Sequence, residues 1–216
     1  MPSSGEDTSR YLILMRHGET SWNRELRVMG DADVPLNDTG RRQCREVARM
    51  LTGFAIDRIV SSPLLRAVES AEILNDALGL GLTHDTDLAE VRFGRWQGKT
   101  YDEILRDPDY APYRDNPLEH PTPGGETIGD VQRRGLTAFD RLRPGERVLF
   151  VSHGDVIRAA TCHYLGLPLG EYRRLRIDNC GLTAIARRDR HTEVTFVNLL
   201  ADPGRAWDPL HWSRAT

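Results

Sequence analysis

Two histidines of this chain share one local setting. LILMRHGET (12–20) runs four apolar residues into Arg16, His17 and Gly18, and RVLFVSHGD (147–155) runs four apolar residues into Ser152, His153 and Gly154. An apolar run that stops on an imidazole and a glycine reads as a buried strand entering a sharp turn, and open α/β sheets hold their ligands at the carboxyl ends of their strands. A third short run, in DRIVSSP (57–63), leads to a helix whose first turn carries Arg66. If these strands are parallel, two histidines and two arginines meet at one sheet edge beside the N–H groups of turns and helix starts. Such a set suits a phosphoryl group. Arginine's fork matches phosphate oxygens, and neighbouring cations keep an imidazole unprotonated and nucleophilic near neutral pH. Phosphate monoesters hydrolyse so slowly unaided that charge neutralisation and an in-line nucleophile are both needed. A carboxylic acid must also protonate the leaving oxygen. THDTDLAEVRFG (83–94) offers Asp85, Asp87 and Glu90 for that task, and chemistry alone does not choose among them.

The elements that must position these residues alternate. Residues 11–16 read as a strand, and Cys44, Val47, Ala48 and Leu51 recur at helical spacing within 39–51. After the strand in 57–63, Ser62 and Pro63 read as N-cap and first helical residue. Leu64, Ala67, Val68, Ala71, Leu74 and Leu78 then line one helix face that stops near Gly79. The strand beginning at 147 leads to a helix over 156–165, and LTAIA (182–186) and VTFVNLL (194–200) read as two more strands. This alternation predicts an α/β fold, a three-layer α/β/α sandwich around a largely parallel sheet. Residues 99–127, rich in Pro, Asp and Tyr, interrupt the pattern and read as an insertion or lid, followed by a helix over about 128–142. We expect one domain over 1–216, with a core of about 11–200 and irregular ends before residue 10 and after Ala201.

Composition narrows the function classes. With 29 Lys+Arg against 32 Asp+Glu, the net charge of −3 offers no global field for nucleic acid or an anionic membrane, so any anion must be bound locally. The three cysteines, Cys44, Cys162 and Cys180, are odd in number and lack C-x-x-C spacing, which predicts reduced, buried thiols rather than a disulfide framework or a zinc site. Neither a leader-like apolar run nor a membrane-length stretch is visible, so a cytoplasmic location is expected.

With these residues in place, the chain resembles the histidine phosphatase superfamily, in the branch that holds cofactor-dependent phosphoglycerate mutases, fructose-2,6-bisphosphatases and alpha-ribazole phosphatases. The resemblance rests on Arg16-His17-Gly18-Glu19-Thr20 with Trp22-Asn23, LNDTGRRQC (36–44), SSPLLRAVESA (61–71), LAEVRFGRWQG (88–98), GGET (124–127) and VSHGDVIR (151–158), spanning roughly 11–200. It implies a phosphoglycerate mutase-like fold and a phosphohistidine on His17. It selects Glu90 as the acid/base, and implies that Arg16, Arg66, His153 and Asn23 hold the phosphoryl oxygens. Gly30, Gly154 and Arg92 fall among the expected substrate-binding positions. Neither a metal nor a cofactor is implied, and the expected partner is a small phosphorylated substrate.

Rival classes are separable. A cysteine phosphatase needs C-x5-R, but the residues six positions after the three cysteines are Met50, Pro168 and Ala186. A magnesium-dependent aspartate phosphatase is approached only by DTDLA (85–89), which lacks the final Thr or Val. A non-catalytic binding protein would have no use for the acid. Phosphoglycerate mutases of the family are longer between acid/base and second histidine and read LNERHYG where this chain has LAEVRFG, which favours a phosphatase. Arg27, Arg92 and Lys99 near the pocket mouth are candidates for a second anionic group. The remaining histidines, His84, His120, His163, His191 and His211, lie in no motif, and Phe93 and Trp96 read as packing residues.

Overall fold

A computed structural model describes residues 8–188 and 191–202. In chain order it contains β1 (Arg10–Arg16), α1 (Ser21–Arg24), α2 (Asp38–Leu51), β2 (Arg58–Ser61), α3 (Leu65–Leu78), β3 (Gly81–His84), α4 (Tyr101–Ile104) and α5 (Tyr110–Asp115). There follow α6 (Ile128–Asp140), β4 (Arg147–Ser152), α7 (Gly154–Leu165), β5 (Leu182–Arg188) and β6 (His191–Leu199). The six strands form one sheet in the order β3-β2-β4-β1-β5-β6. The first four run parallel and β5 runs antiparallel to both neighbours. Most of the irregular ends expected from the sequence lie outside the described residues.

The three layers follow from period-two burial along the central strands. Leu12 and Leu14 of β1, Val60 of β2, and Val148 and Phe150 of β4 face one way, where they pack on Val131 and Phe139 of α6 and on Val156, Ile157 and Ala160 of α7. Met15, Ile59, Leu149 and Val151 face the other way, onto Cys44, Val47 and Leu51 of α2 and Ala67, Ala71 and Leu74 of α3. Strands buried on both faces read as continuous apolar runs, as these do. All three cysteines are buried thiols outside any disulfide, Cys44 Sγ and Cys180 Sγ lying 3.6 Å apart.

Three expectations need correction. β3 was not anticipated, because GLTH lies at the sheet edge, mostly exposed, and shows no apolar alternation. α3 begins at Leu65, not at Pro63. Leu64 occupies its cap position and, having no side-chain acceptor, makes no cap bond, while Ser62 Oγ meets His153 Nε2 at 2.7 Å. α7 begins two residues early, at Gly154, with His153 itself in the extended N-cap conformation. The segment 99–127, expected as an insertion or lid, is docked. Tyr113 packs edge-on to Trp96 at 5.4 Å, Val28 and Ile104 complete a small core, and Tyr113 meets the Tyr172 hydroxyl at 3.2 Å. Phe93 and Trp96 are packing residues, as expected. Among the described residues no helix is long and apolar enough to cross a membrane.

Candidate active site

Sheet register brings the two histidines together. β1 and β4 pair in parallel with Arg16 opposite Ser152, so each histidine is the first residue past its strand. The His17 amide donates to Ser152 O at 2.9 Å, and the two rings lie 5.2 Å apart between centroids. The turn after His17 closes against α2 and α3. The Gly18 amide donates to Ser70 Oγ at 3.0 Å, and a Cβ on Gly18 would stand 2.7 Å from Gly40 O. Asn179, just before β5, donates from Nδ2 to His17 O at 3.0 Å.

Hydrogen bonds fix the tautomer of His17. Its Nδ1 lies 2.7 Å from Gly18 O, and a carbonyl can only accept, so the proton sits on Nδ1 and Nε2 keeps its lone pair. Arg66 Nε donates to that Nε2 at 3.3 Å. Burial first, then the charges of Arg66 and Arg16, hold the His17 imidazole well below its usual range, which keeps it neutral at pH 7. His153 is held neutral in the same way, by burial and then by Arg66. Ser62 Oγ accepts from the Leu64 amide at 3.3 Å and meets His153 Nε2 at 2.7 Å. With the hydroxyl proton turned to Nε2, the His153 N–H sits on Nδ1.

Arg66 is buried and Arg16 half-buried, and the two are differently tethered. Arg66 is fully buried; its Nη1 and Nη2 donate to Ala32 O at 2.9 Å and Gly30 O at 2.8 Å, and burial lowers its pKa to about 10. Arg16 Nη1 donates to Ile177 O at 2.8 Å. Arg16 Nε and His153 Nδ1 are buried with no partner among the described residues. Buried polar groups left unmet are costly, so two of them beside the unprotonated His17 Nε2 mark where an acceptor-rich group fits.

Glu90 faces this cluster electrostatically. Burial and then the charge of Asp155 push its carboxyl up to about 7, against the opposing pull of Arg66 and Arg16. Asp87 and Asp85, its rivals in sequence, both pair with Arg141. Gly154 opens α7 with its backbone against Arg16, a Cβ there falling 3.7 Å from Arg16 Nε. Gly30 adopts φ +54° and serves through its carbonyl, as the rest of Arg66. Asn23 spends its Oδ1 on the Thr20 amide, which leaves its Nδ2 as the group able to donate to an anion.

Arg92 lies at the rim, its side chain 62% exposed and 3.7 Å from Glu126. Arg27 pairs with Glu25 at 2.8 Å and Lys99 with Asp107 at 3.3 Å, so the three rim cations each already have a carboxylate. Sequence reasoning passed over Arg134, Arg158 and Asn179, read Ser62 only as a helix cap, and assigned Asp155 no role. Asp155 pairs with Arg158 at 2.8 Å, and both charges reach the site, Asp155 at Glu90 and Arg158 at Arg16. The signal for Asp155 was its place two residues after His153.

The sequence pattern of the histidine phosphatase superfamily (branch 1) matches residues 12–200. The probable phosphoglycerate mutase GpmB of Yersinia pestis (strain Pestoides F) is 35% identical over 181 residues, 81% of this chain and 83% of that protein. Among solved structures, a mycobacterial glucosyl-3-phosphoglycerate phosphatase in complex with VO3 is 31% identical, with a TM-score of 0.75 over 88% of this chain and 98% of that one. Phosphoserine phosphatase from Entamoeba histolytica, in complex with 3-phosphoglyceric acid, is 28% identical, with a TM-score of 0.78 over 88% and 97%.

Proposed function

The chain belongs to the histidine phosphatase superfamily, branch 1, and we propose that it is a phosphomonoester hydrolase acting on a small phosphorylated metabolite through a phosphohistidine on His17. The observation that carries this reading is the unprotonated Nε2 of a neutral, buried His17, held by Arg66 Nε, in a cluster whose arginines also feel the Glu90 carboxyl raised to about 7. In the first half-reaction the Nε2–phosphorus bond forms as the phosphorus–oxygen bond to the leaving group breaks, and Glu90 gives its proton to the departing oxygen. In the second, water attacks phosphorus, its proton goes to Glu90, and the Nε2–phosphorus bond breaks to restore His17. Arg16 Nε, His153 Nδ1 and the Arg66 fork hold the three equatorial oxygens, where developing charge is stabilised most. Asn23 Nδ2 and the Gly154 amide border the same space.

The nearest alternative is a mutase, which shares the phosphohistidine but returns the phosphoryl group to an alcohol. The name of the Yersinia relative favours it; the names of the two structural neighbours and the LAEVRFG wording favour hydrolysis. The deciding experiment follows phosphate release from simple monoesters without a bisphosphoglycerate primer, and 3- to 2-phosphoglycerate interconversion with it. We expect steady phosphate release and slow or absent interconversion. Fast, primer-dependent interconversion with negligible phosphate release would replace the hydrolase by the mutase. Because side-chain cations already meet the phosphoryl oxygens, prolonged EDTA treatment should leave turnover unchanged. Loss of turnover restored by magnesium would return the aspartate phosphatase to consideration.

A further inference from the structure

The segment that carries Glu90 has neither helix nor sheet to hold it. It leaves β3 through a single 3-10 turn, Thr86–Leu88, and Glu90 lies in irregular chain before the next turn, Gly94–Trp96. Its backbone is nonetheless fully engaged where it matters. The Leu88 carbonyl accepts from Ser152 Oγ at 2.7 Å, next to His153. The carbonyls of Asp87 (2.8 Å), Ala89 and Glu90 (3.1 Å) all accept from one guanidinium, that of Arg134 on α6. Arg134 is itself gripped by Glu126, which accepts from its Nε and Nη2 at 3.2 Å each and from the Arg92 amide at 3.0 Å. Both side chains are largely buried, 18% and 9% exposed.

We propose that Arg134 is the positioning residue for Glu90, a side chain that never meets substrate but holds three carbonyls of residues 87–90 so that the carboxyl stands at the leaving oxygen. This rests on Glu90 acting as the general acid. A planar fork with five donors can span three carbonyls and a carboxylate at once, and a lysine cannot. Without the fork, three carbonyls would lose this partner and the buried Glu126 carboxylate would keep only Arg92, so the loop would move to find water. A displacement of about 1 Å is enough to cost an acid on the order of 10²-fold.

The test compares kcat/KM on β-glycerophosphate, whose alkoxide leaves poorly, with p-nitrophenyl phosphate, whose leaving group needs little acid. Wild type, Arg134→Gln, Arg134→Lys, Glu90→Gln and the double variant Glu90→Gln/Arg134→Gln are measured. Arg134→Gln is expected to lose roughly 10-fold or more beyond its nitrophenyl loss on the alkyl ester, and Arg134→Lys to lose less in the same direction. In the double variant the alkyl ester should react about as fast as in Glu90→Gln alone, since a misplaced acid and a missing acid are one defect. If Arg134→Gln fails to fold, the reading is taken from Arg134→Lys. A selective loss in Glu90→Gln with equal losses on both esters in the Arg134 variants overturns the inference and leaves the general acid standing. Equal losses in Glu90→Gln overturn the general acid and the inference together.

Discussion

At the scale of single residues, the site sets its protonation states in opposite directions. Cations and burial depress His17 and His153, whereas burial and Asp155 raise Glu90 to about 7. The proposed nucleophile needs an unprotonated ring and the proposed acid needs its proton, and the two shifts allow both together on the acid side of neutrality. The sign for each group follows. Glu90 carries its proton below about pH 7 and loses it above, so kcat/KM on an alkyl phosphate should fall by about one decade per pH unit as pH rises past 7. His17 stays neutral to well below its ordinary 6.5, so no loss is expected around pH 6.5 from that group. Glu90→Gln should erase the alkaline fall and cost on the order of 10²-fold at pH 6. A pH profile in which Glu90→Gln keeps the wild-type alkaline limb would assign that limb to another group.

At the scale of elements, precision at His17 depends on how tightly α2 seats against the loop after β1. Asn37 caps α2 by accepting from the Gly40 amide at 2.8 Å and donates to Glu19 Oε1 at 2.8 Å, while the Glu19 carbonyl takes the Asn37 amide at 3.0 Å. Gly40 lets this approach happen, since a Cβ there would fall 2.2 Å from Glu19 O, two residues from His17. Gly40→Ala must push α2 off the loop. It should cost about 1–3 kcal/mol of stability and lower kcat as well, because His17 moves with Glu19. Denaturant melts alongside kcat test this, and a variant with wild-type values in both would show that the contact gives way freely. Similar reasoning explains what was readable in advance. Both His-bearing elbows, the faces of α2 and α3 and the alternating layers were legible because buried strands and amphipathic helices leave periodic apolar marks. The edge strand β3 leaves none, being exposed. Ser62 was misread as a helix cap because a serine before a proline carries that local preference, and only the tertiary proximity of His153 reassigns it. Arg134 was invisible for a related reason: its partners are backbone carbonyls some 45 residues away, to which no side-chain pattern points.

At the scale of the whole molecule, a chain of net charge −3 gathers Arg16 and Arg66 beside two buried histidines at one sheet edge. Arg66 and Arg16 are both pulled down in pKa by burial, the mark of cations held where water cannot fully solvate them. The acid that acts on both most strongly, Glu90, is partly protonated at neutral pH and so neutralises them poorly. The free protein therefore carries an electrostatic cost that an oxyanion of the right shape relieves, and an anion bound only to the folded state must raise its stability by mass action. Orthovanadate or inorganic phosphate at about 100 times its Kd should add about 2.7 kcal/mol. For a chain of this size that corresponds to roughly 5–10 °C in Tm. Sodium chloride at matched ionic strength should not reproduce the shift, because chloride cannot engage Arg16 Nε, His153 Nδ1 and the Arg66 fork together. Arg66→Gln, which keeps one amide where the guanidinium donated to Gly30 O and Ala32 O, should lose most of the oxyanion shift whatever its own Tm. Differential scanning fluorimetry over a titration of each anion gives the answer. A Tm indifferent to vanadate and phosphate, or a full shift surviving in Arg66→Gln, would mean that the pocket at the ends of β1, β2 and β4 is not where the protein meets phosphoryl groups.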